Sequence, residues 1–127
     1  MSDIILKSAI PILFVRDVPA SATYFQHKLG FEIDFLHGEP PFYGSVSRGD
    51  ARLHLRFVHQ PNFAELAARE VSLIVATIEV SDVRKLFEEL KNRCAEIAQP
   101  PIKQPWGGTD FHVRDPDGNG IAFVTYG

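Results

Sequence analysis

The sequence contains one short pattern twice, about half a chain apart. Residues 14–35 (FVRDVPASATYFQHKLGFEIDF) and 79–97 (EVSDVRKLFEELKNRCAEI) both place an Asp-Val pair before a helix-like stretch and a short Glu-Ile strand. The pairs start at Asp17 and Asp82, 65 positions apart in a chain of 127 residues. Similarity at a fixed offset is typical of folds built from repeated units. The chain is therefore predicted to consist of two modules with the same order of elements.

Apolar periodicity predicts one helix in each module. Asp17 is placed to cap the first helix or to complement its dipole, and Gly30 is placed to end it. In the second module Ser81 or Asp82 is the expected cap, and Cys94 continues the apolar stripe as a small buried side chain. The two stripes consist of Val18, Ala22, Phe25 and Leu29, and of Val83, Leu86, Phe87 and Leu90.

Runs of β-branched and aromatic residues around each helix predict four strands per module, in the order βαβββ. The expected strands cover residues 9–15, 31–36, 42–47 and 52–58, and then 72–80, 97–103, 109–114 and 121–126. We expect a single α+β domain over residues 1–127, with module one at about 8–58, module two at about 71–127, and between them a linker at about 59–70 with one helical turn. One helix covers only one face of a four-stranded sheet, so two curved mixed sheets should enclose a cleft, the usual form of a ligand site.

Composition narrows the range of functions. A net charge of −3 argues against a nucleic-acid partner, which usually selects a basic protein. The single cysteine cannot form an internal disulfide, and no apolar run is long enough to span a membrane. The opening MSDIILKSAI lacks the features of a signal peptide, so a cytoplasmic location is expected.

Three segments resemble the vicinal-oxygen-chelate superfamily, which includes glyoxalases, extradiol dioxygenases and bleomycin resistance proteins. They are SAIPILFVRDV at 8–18, YFQHKLGFEIDF at 24–35 and QPWGGTDFHVRDPDGNGIAFV at 104–124. The Leu-Gly-Phe and Asp-Pro-x-Gly-Asn motifs are shared across the superfamily, whereas Pro11 and the Gln-Pro-Trp-Gly motif that contains Trp106 are closer to the resistance proteins. The resemblance implies a homodimer in which the N-terminal strand, with Pro11 near its start, is exchanged and each cleft is completed by the partner subunit.

The resemblance also bears on metal binding, because the enzymes of the superfamily hold a divalent ion with His, Glu or Gln from four strands. The matching positions here are Ile10, His54, Val75 and Ala122, and three of these four residues are aliphatic. One imidazole cannot hold a catalytic metal with useful affinity. We therefore expect no metal, no cofactor and no catalytic residue, with a metal-dependent glyoxalase- or dioxygenase-type enzyme as the alternative.

Trp106 is the candidate centre of a ligand site. From the residues alone, Trp106 is either a lid on the core or a stacking surface. The resemblance implies that Trp106 and Phe35 stack against the flat bithiazole of bleomycin. Phe42 and Tyr43 are expected to add aromatic surface near the same rim. Asp34 and Glu39 are expected to attract a cationic tail, and His54 either contacts the ligand or packs as a neutral group. The leading hypothesis is sequestration of a bleomycin-type glycopeptide without chemical change, and the alternative ligand is another flat aromatic compound.

The segment from Asp115 to Gly120 imitates the start of a calcium-binding loop. The twelfth position of such a loop would be Tyr126 instead of glutamate, and strands rather than helices are predicted on both sides. Pro-Asp-Gly followed by Asn-Gly instead favours a tight turn. We therefore predict a hairpin here.

Overall fold

The structure, a computed structural model, describes residues 3–70 and 73–127. The predicted βαβββ order is found twice. Module one consists of β1 (Ile12–Val15), α1 (Val18–Lys28), β2 (Glu32–Gly38), β3 (Pro41–Arg48) and β4 (Ala51–Phe57). A connecting helix, α2 (Phe63–Arg69), leads to module two, which consists of β5 (Ala76–Glu79), α3 (Val83–Asn92), β6 (Ile97–Lys103), β7 (Gly108–Arg114) and β8 (Gly120–Tyr126).

Each module forms a four-stranded mixed sheet with the same topology. The strand orders are β1-β4-β3-β2 and β5-β8-β7-β6. In each sheet the first strand pairs in parallel with the last, and the other pairs are antiparallel. The repeated sequence pattern therefore corresponds to a repeated sheet, and the predicted α+β class is confirmed.

The helix caps follow the prediction. The Asp17 carboxylate accepts a hydrogen bond of 3.0 Å from the backbone N–H of Ala20, and the Asp82 carboxylate accepts one of 3.1 Å from Lys85. Each carboxylate satisfies one of the N–H groups that have no partner within a helix. Asp82, and not Ser81, is thus the second cap.

The two principal helices end in the same way but with different residues. Gly30 has φ 73°, and the next N–H, of Phe31, returns to the carbonyl of Phe25 at 3.0 Å. Cys94 has φ 63°, and the N–H of Ala95 returns to Leu90 at 3.0 Å. The prediction that Cys94 is buried is wrong, because α3 ends at Asn92 and the exposed Cys94 side chain lies beyond the helical stripe.

Both modules contribute to one apolar core between the helices and the sheet faces that they cover. Phe25 of α1 and Phe111 of β7 are completely buried in it. Polar contacts also join the modules: Arg48 forms an ion pair with Glu89 of α3 at 2.8 Å, and the Tyr24 hydroxyl donates to the Arg114 carbonyl at 2.9 Å. The two sheets are therefore held in one arrangement by apolar and polar contacts.

Three elements differ from the expected bounds. β1 begins at Ile12 instead of residue 9, because pairing with β4 starts with Ile12 opposite His54, and residues 3–10 are exposed. The linker contains a two-turn helix, α2, instead of one turn. β5 begins at Ala76 instead of residue 72, and residues 71 and 72 lie outside the described residues.

Among the helices that the structure describes, none combines the length and apolar character needed to cross a membrane.

Candidate functional site

Each sheet has one face against the helices and one open face. On β4, Leu53 and Leu55 are buried in the core, so His54 between them lies on the open face. On β7, Phe111 and Val113 are buried in the core, so His112 between them lies on the open face of the second sheet. The alternation of His54 with Leu53 and Leu55 predicted that His54 lies on the opposite face from these leucines. The burial of Phe111 and Val113 shows which face His112 occupies.

Three rings meet on the open face of the first sheet. The Tyr43 hydroxyl lies 2.7 Å from Nδ1 of His54, and the two ring centroids are 5.2 Å apart. The Phe35 ring meets His54 edge-on, with centroids 6.1 Å apart, and Phe35 remains 46% exposed. The structure thus brings together three of the predicted residues, Phe35, Tyr43 and His54, which we call the aromatic cluster.

Asp34 lies beside the aromatic cluster because the pairing of β2 with β3 shifts between Ile33 and Phe35. Its carboxylate accepts hydrogen bonds of 2.8 Å from the Ser45 hydroxyl and 2.7 Å from the Ser47 hydroxyl. Burial acts to raise the pKa of Asp34, but these two hydrogen bonds, with help from nearby Arg52, outweigh it, and the pKa is lowered. Asp34 is therefore an anion at neutral pH, but one that already has partners.

Glu39 and Phe42 are placed elsewhere. They line a cavity of about 650 Å³ near the start of α1, together with Pro19 and Phe57. Phe42 and Tyr43 are neighbours in β3, and consecutive side chains of a strand point to opposite faces. The expected common rim of Phe42, Tyr43 and Glu39 is therefore not formed within this chain.

Trp106 lies in the turn between β6 and β7 and is 74% exposed. Gln104 and Gly108 close this turn by a backbone hydrogen bond of 2.7 Å, and Gly107 has φ 112°, which favours glycine. The exposure excludes the alternative that Trp106 is a lid on the core. Trp106 lines a cavity of about 430 Å³ whose other lining residues all belong to module two, whereas Phe35 is on the first sheet.

A group of polar side chains that line this cavity was not predicted. Gln99 and Gln104 each donate to Oδ1 of Asp110 at 2.9 Å, and Nε2 of His112 lies 3.4 Å from Oδ2. Asp110 and His112 are both buried. The alternation of Asp110 and His112 with Phe111 and Val113 was the available signal, but it did not show which face would be open. We call these four residues, Gln99, Gln104, Asp110 and His112, the polar cluster.

The positions that match the metal ligands of the superfamily do not form a suitable set of donors. Ile10 is exposed, Val75 is half-buried, Ala122 is buried on the second sheet, and His54 is on the first. Over residues 3–70 and 73–127, no three His, Cys, Asp or Glu side chains come close enough to hold an ion. The described residues therefore do not fit the catalytic metal of the superfamily enzymes, which needs at least three protein ligands.

Comparisons with known proteins agree with this fold. The family model "Glyoxalase/Bleomycin resistance protein/Dioxygenase superfamily" matches residues 7–123. A bleomycin-binding protein from bleomycin-producing Streptomyces verticillus, solved with copper(II)-bleomycin, is 32% identical, with a TM-score of 0.75 and 98% of each chain covered. A bleomycin resistance protein from Geobacillus stearothermophilus is 29% identical over 129 aligned positions, covering 93% of this chain and 96% of that protein. A glyoxalase-related enzyme from Clostridium phytofermentans, 16% identical, shares the fold with a TM-score of 0.76 over 99% of each chain.

Proposed function

The chain belongs to the Glyoxalase/Bleomycin resistance protein/Dioxygenase superfamily, and from this premise we propose that it binds a flat, cationic glycopeptide of the bleomycin type and holds it without chemical change. The observation that carries the proposal is the exposed Trp106 beside a cavity. An indole that stays in water while it borders a cavity is available for stacking on a flat ligand. The relationship to a bleomycin-binding protein at 32% identity supports this choice of ligand.

Ring contact supplies the main attraction in this proposal. Trp106 stacks on one side of the planar part of the ligand, and Phe35 stacks on the other. Such ring pairs contribute about 0.5–1.5 kcal/mol each beyond the buried area. The hydroxyl of Tyr43 and the imidazole of His54, already paired at 2.7 Å, offer polar contacts at the edge of the same surface.

Charge makes a smaller contribution. Asp34 is anionic, but Arg52 approaches it at 4.0 Å, and both Ser45 and Ser47 already donate to it. The attraction of a cationic tail to this part of the surface is therefore weak and falls with salt. Glu39 and Phe42 border a different cavity, so we leave them outside the proposed site.

We also propose that the working unit is a cytoplasmic homodimer. Phe35 is on the first sheet and Trp106 borders a cavity lined by module two, so a second copy is the simplest way to bring both rings onto one ligand. Apolar residues near the N-terminus support an interface: Leu6 is 92% exposed, and Ile12 and Phe14 are exposed on β1. Exposed apolar patches of this kind mark association surfaces.

The test is a titration of the purified protein with bleomycin, followed by the fluorescence of Trp106, the only tryptophan. We expect quenching at micromolar drug. Phe35→Ala removes one stacking ring and is expected to weaken binding about tenfold, which corresponds to about 1.4 kcal/mol. Phe42→Ala is the matched control, because Phe42 is similarly exposed, at 52%, but lines the other cavity.

Three outcomes separate the alternatives. No quenching by the wild type would reject bleomycin as the ligand and leave another flat aromatic compound as the candidate. Equal losses in Phe35→Ala and Phe42→Ala would contradict the placement of the site. A stoichiometric divalent ion in protein purified without chelator would favour the enzyme alternative. It would also contradict the conclusion that the described residues do not offer a suitable set of metal ligands.

A further inference from the structure

Ring stacking by Trp106 gives no role to the polar cluster that lines the same cavity. Asp110 and His112 are buried on the open face of a sheet, where an apolar floor would cost less free energy than a buried carboxylate. Asp110 lines the cavity of about 430 Å³ together with Trp106 and Tyr126. A buried charge that borders a cavity is a candidate ligand contact.

The contacts of Asp110 fix the orientation of its carboxylate. Oδ1 accepts from Nε2 of Gln99 and from Nε2 of Gln104, both at 2.9 Å. Oδ2 lies 3.4 Å from Nε2 of His112, which is beyond the usual length of a good hydrogen bond. Because an ionised carboxylate can accept about four hydrogen bonds, Oδ2 retains capacity for another donor.

The charge of the cavity follows from the same residues. Asp110 is the one acidic residue among the described residues that line it, and the same lining contains no lysine or arginine. Burial acts to raise the pKa of Asp110, but the hydrogen bonds from Gln104 and Gln99, together with His112, outweigh it and lower the pKa. The carboxylate is therefore negative at neutral pH, and among the described residues that line this cavity its basic neighbour is the imidazole of His112, 3.4 Å from Oδ2.

We propose that this cavity binds a planar cation, such as an amidinium or a protonated amine carried by an aromatic ring, with the ring against Trp106 and the cation at Oδ2 of Asp110. The apolar side chains of Ile102 and Tyr126 line the same cavity and are available to pack against the ring. The role of Trp106 rests on the proposed function, whereas the choice of a cation rests on Asp110.

The test compares two small probes of the same shape, benzamidine and its neutral analogue benzamide. Binding is measured by Trp106 fluorescence and by the shifts of assigned NMR signals. We expect the wild type to bind benzamidine about tenfold more tightly than benzamide, a difference of about 1.4 kcal/mol. Asp110→Asn should bring the two affinities to within about twofold of each other, because it removes the charge with little change in shape. Glu79→Gln is the matched control, since it removes a charge from the same open face outside this cavity and should keep the preference.

A measurement on the wild type alone covers the case in which Asp110→Asn does not fold. Benzamidine should shift the indole N–H of Trp106 and the side-chain amides of Gln99 and Gln104, and its binding should weaken as salt is added. Equal affinity for the two probes, or shifts confined to the aromatic cluster, would overturn the inference. A preference for benzamidine without any binding of bleomycin would support the inference and reject the proposed function. Binding of bleomycin without a preference for benzamidine would support the proposed function and reject the inference.

Discussion

Asp115 lies in the turn between β7 and β8, where its carboxylate is buried and accepts three hydrogen bonds. The backbone N–H groups of Asp117 and Asn119 donate to Oδ1 at 2.9 and 2.7 Å, and the Asn119 amide donates to Oδ2 at 3.0 Å. Burial raises the pKa of Asp115 to about 6, although the hydrogen bonds from Asn119 oppose the shift. The residues that imitate a calcium loop thus hold a hairpin turn closed.

The raised pKa of Asp115 predicts a pH dependence of stability. Between about pH 4 and pH 6 the folded chain binds this proton more tightly than the unfolded chain, so the contribution of Asp115 is complete below pH 4 and is lost as the pH rises through 6. A shift of about two pKa units corresponds to at most about 3 kcal/mol in the free energy of unfolding. Denaturant unfolding at several pH values should show that the free energy of unfolding of the wild type falls relative to that of Asp115→Asn as the pH rises from 4 to 6.

Asp50→Asn is the control for this experiment, because Asp50 is exposed in the turn between β3 and β4. Between pH 4 and pH 6, the free energy of unfolding of Asp50→Asn should change with pH as that of the wild type does. If Asp115→Asn also keeps the wild-type slope, Asp115 is not the group that titrates.

The two modules use the same elements, but their helices end with different residues. Gly30 ends α1 in the left-handed region of backbone conformation, and Cys94 takes that conformation after α3. A residue with a Cβ in that region is disfavoured by about 1–2 kcal/mol, whereas glycine is not. The second module therefore carries backbone strain that the first module avoids.

Cys94→Gly is expected to raise the free energy of unfolding by about 1 kcal/mol, because it relieves this strain and removes only an exposed side chain. Thermal unfolding and denaturant unfolding measure the change. Gly30→Ala is the converse variant and should lower the free energy of unfolding. It introduces backbone strain, and its added Cβ would lie 2.7 Å from the guanidinium of Arg48. A neutral or destabilising Cys94→Gly would contradict this account of the helix end.

The whole molecule presents two open sheet faces, and they have different chemical character. The first carries the aromatic cluster beside a partnered Asp34, and the second carries the polar cluster, which lines a cavity together with Trp106. One core and the Arg48–Glu89 ion pair hold the two sheets in one arrangement. The proposed homodimer would bring one face of each kind, from two copies of the chain, to a single ligand.

The homodimer is tested by the mass of the protein in solution. Sedimentation should give about twice the 14.2 kDa of one chain, and Leu6→Asp should shift the equilibrium toward monomer. Burying one leucine contributes about 1.5–3 kcal/mol, and a two-fold interface contains the residue twice. Leu66→Asp on α2 is the matched control, because Leu66 is also exposed but lies far from the N-terminus in sequence. A wild type that sediments as a monomer at micromolar concentration would reject the dimer.

The sequence by itself determined the repeated βαβββ order, the Asp17 cap and the side of β4 on which His54 lies, and it narrowed the second cap to Ser81 or Asp82. These features depend on local periodicity and on residues three or four positions apart, which a single segment contains. The apolar period alone does not locate the end of a helix, because it continues through Cys94 whereas α3 ends at Asn92.

Only the tertiary structure decided which of the candidate residues meet. The shift in pairing at Asp34 places it with Phe35 beside Ser45, although strict alternation would separate them. The exposure of Trp106 and the contacts of Asp110 with two glutamines depend on how β6 and β7 pair and turn. Alternation defines two faces of a strand, but the helices and neighbouring strands determine which face is covered, and that choice involves residues distant in sequence.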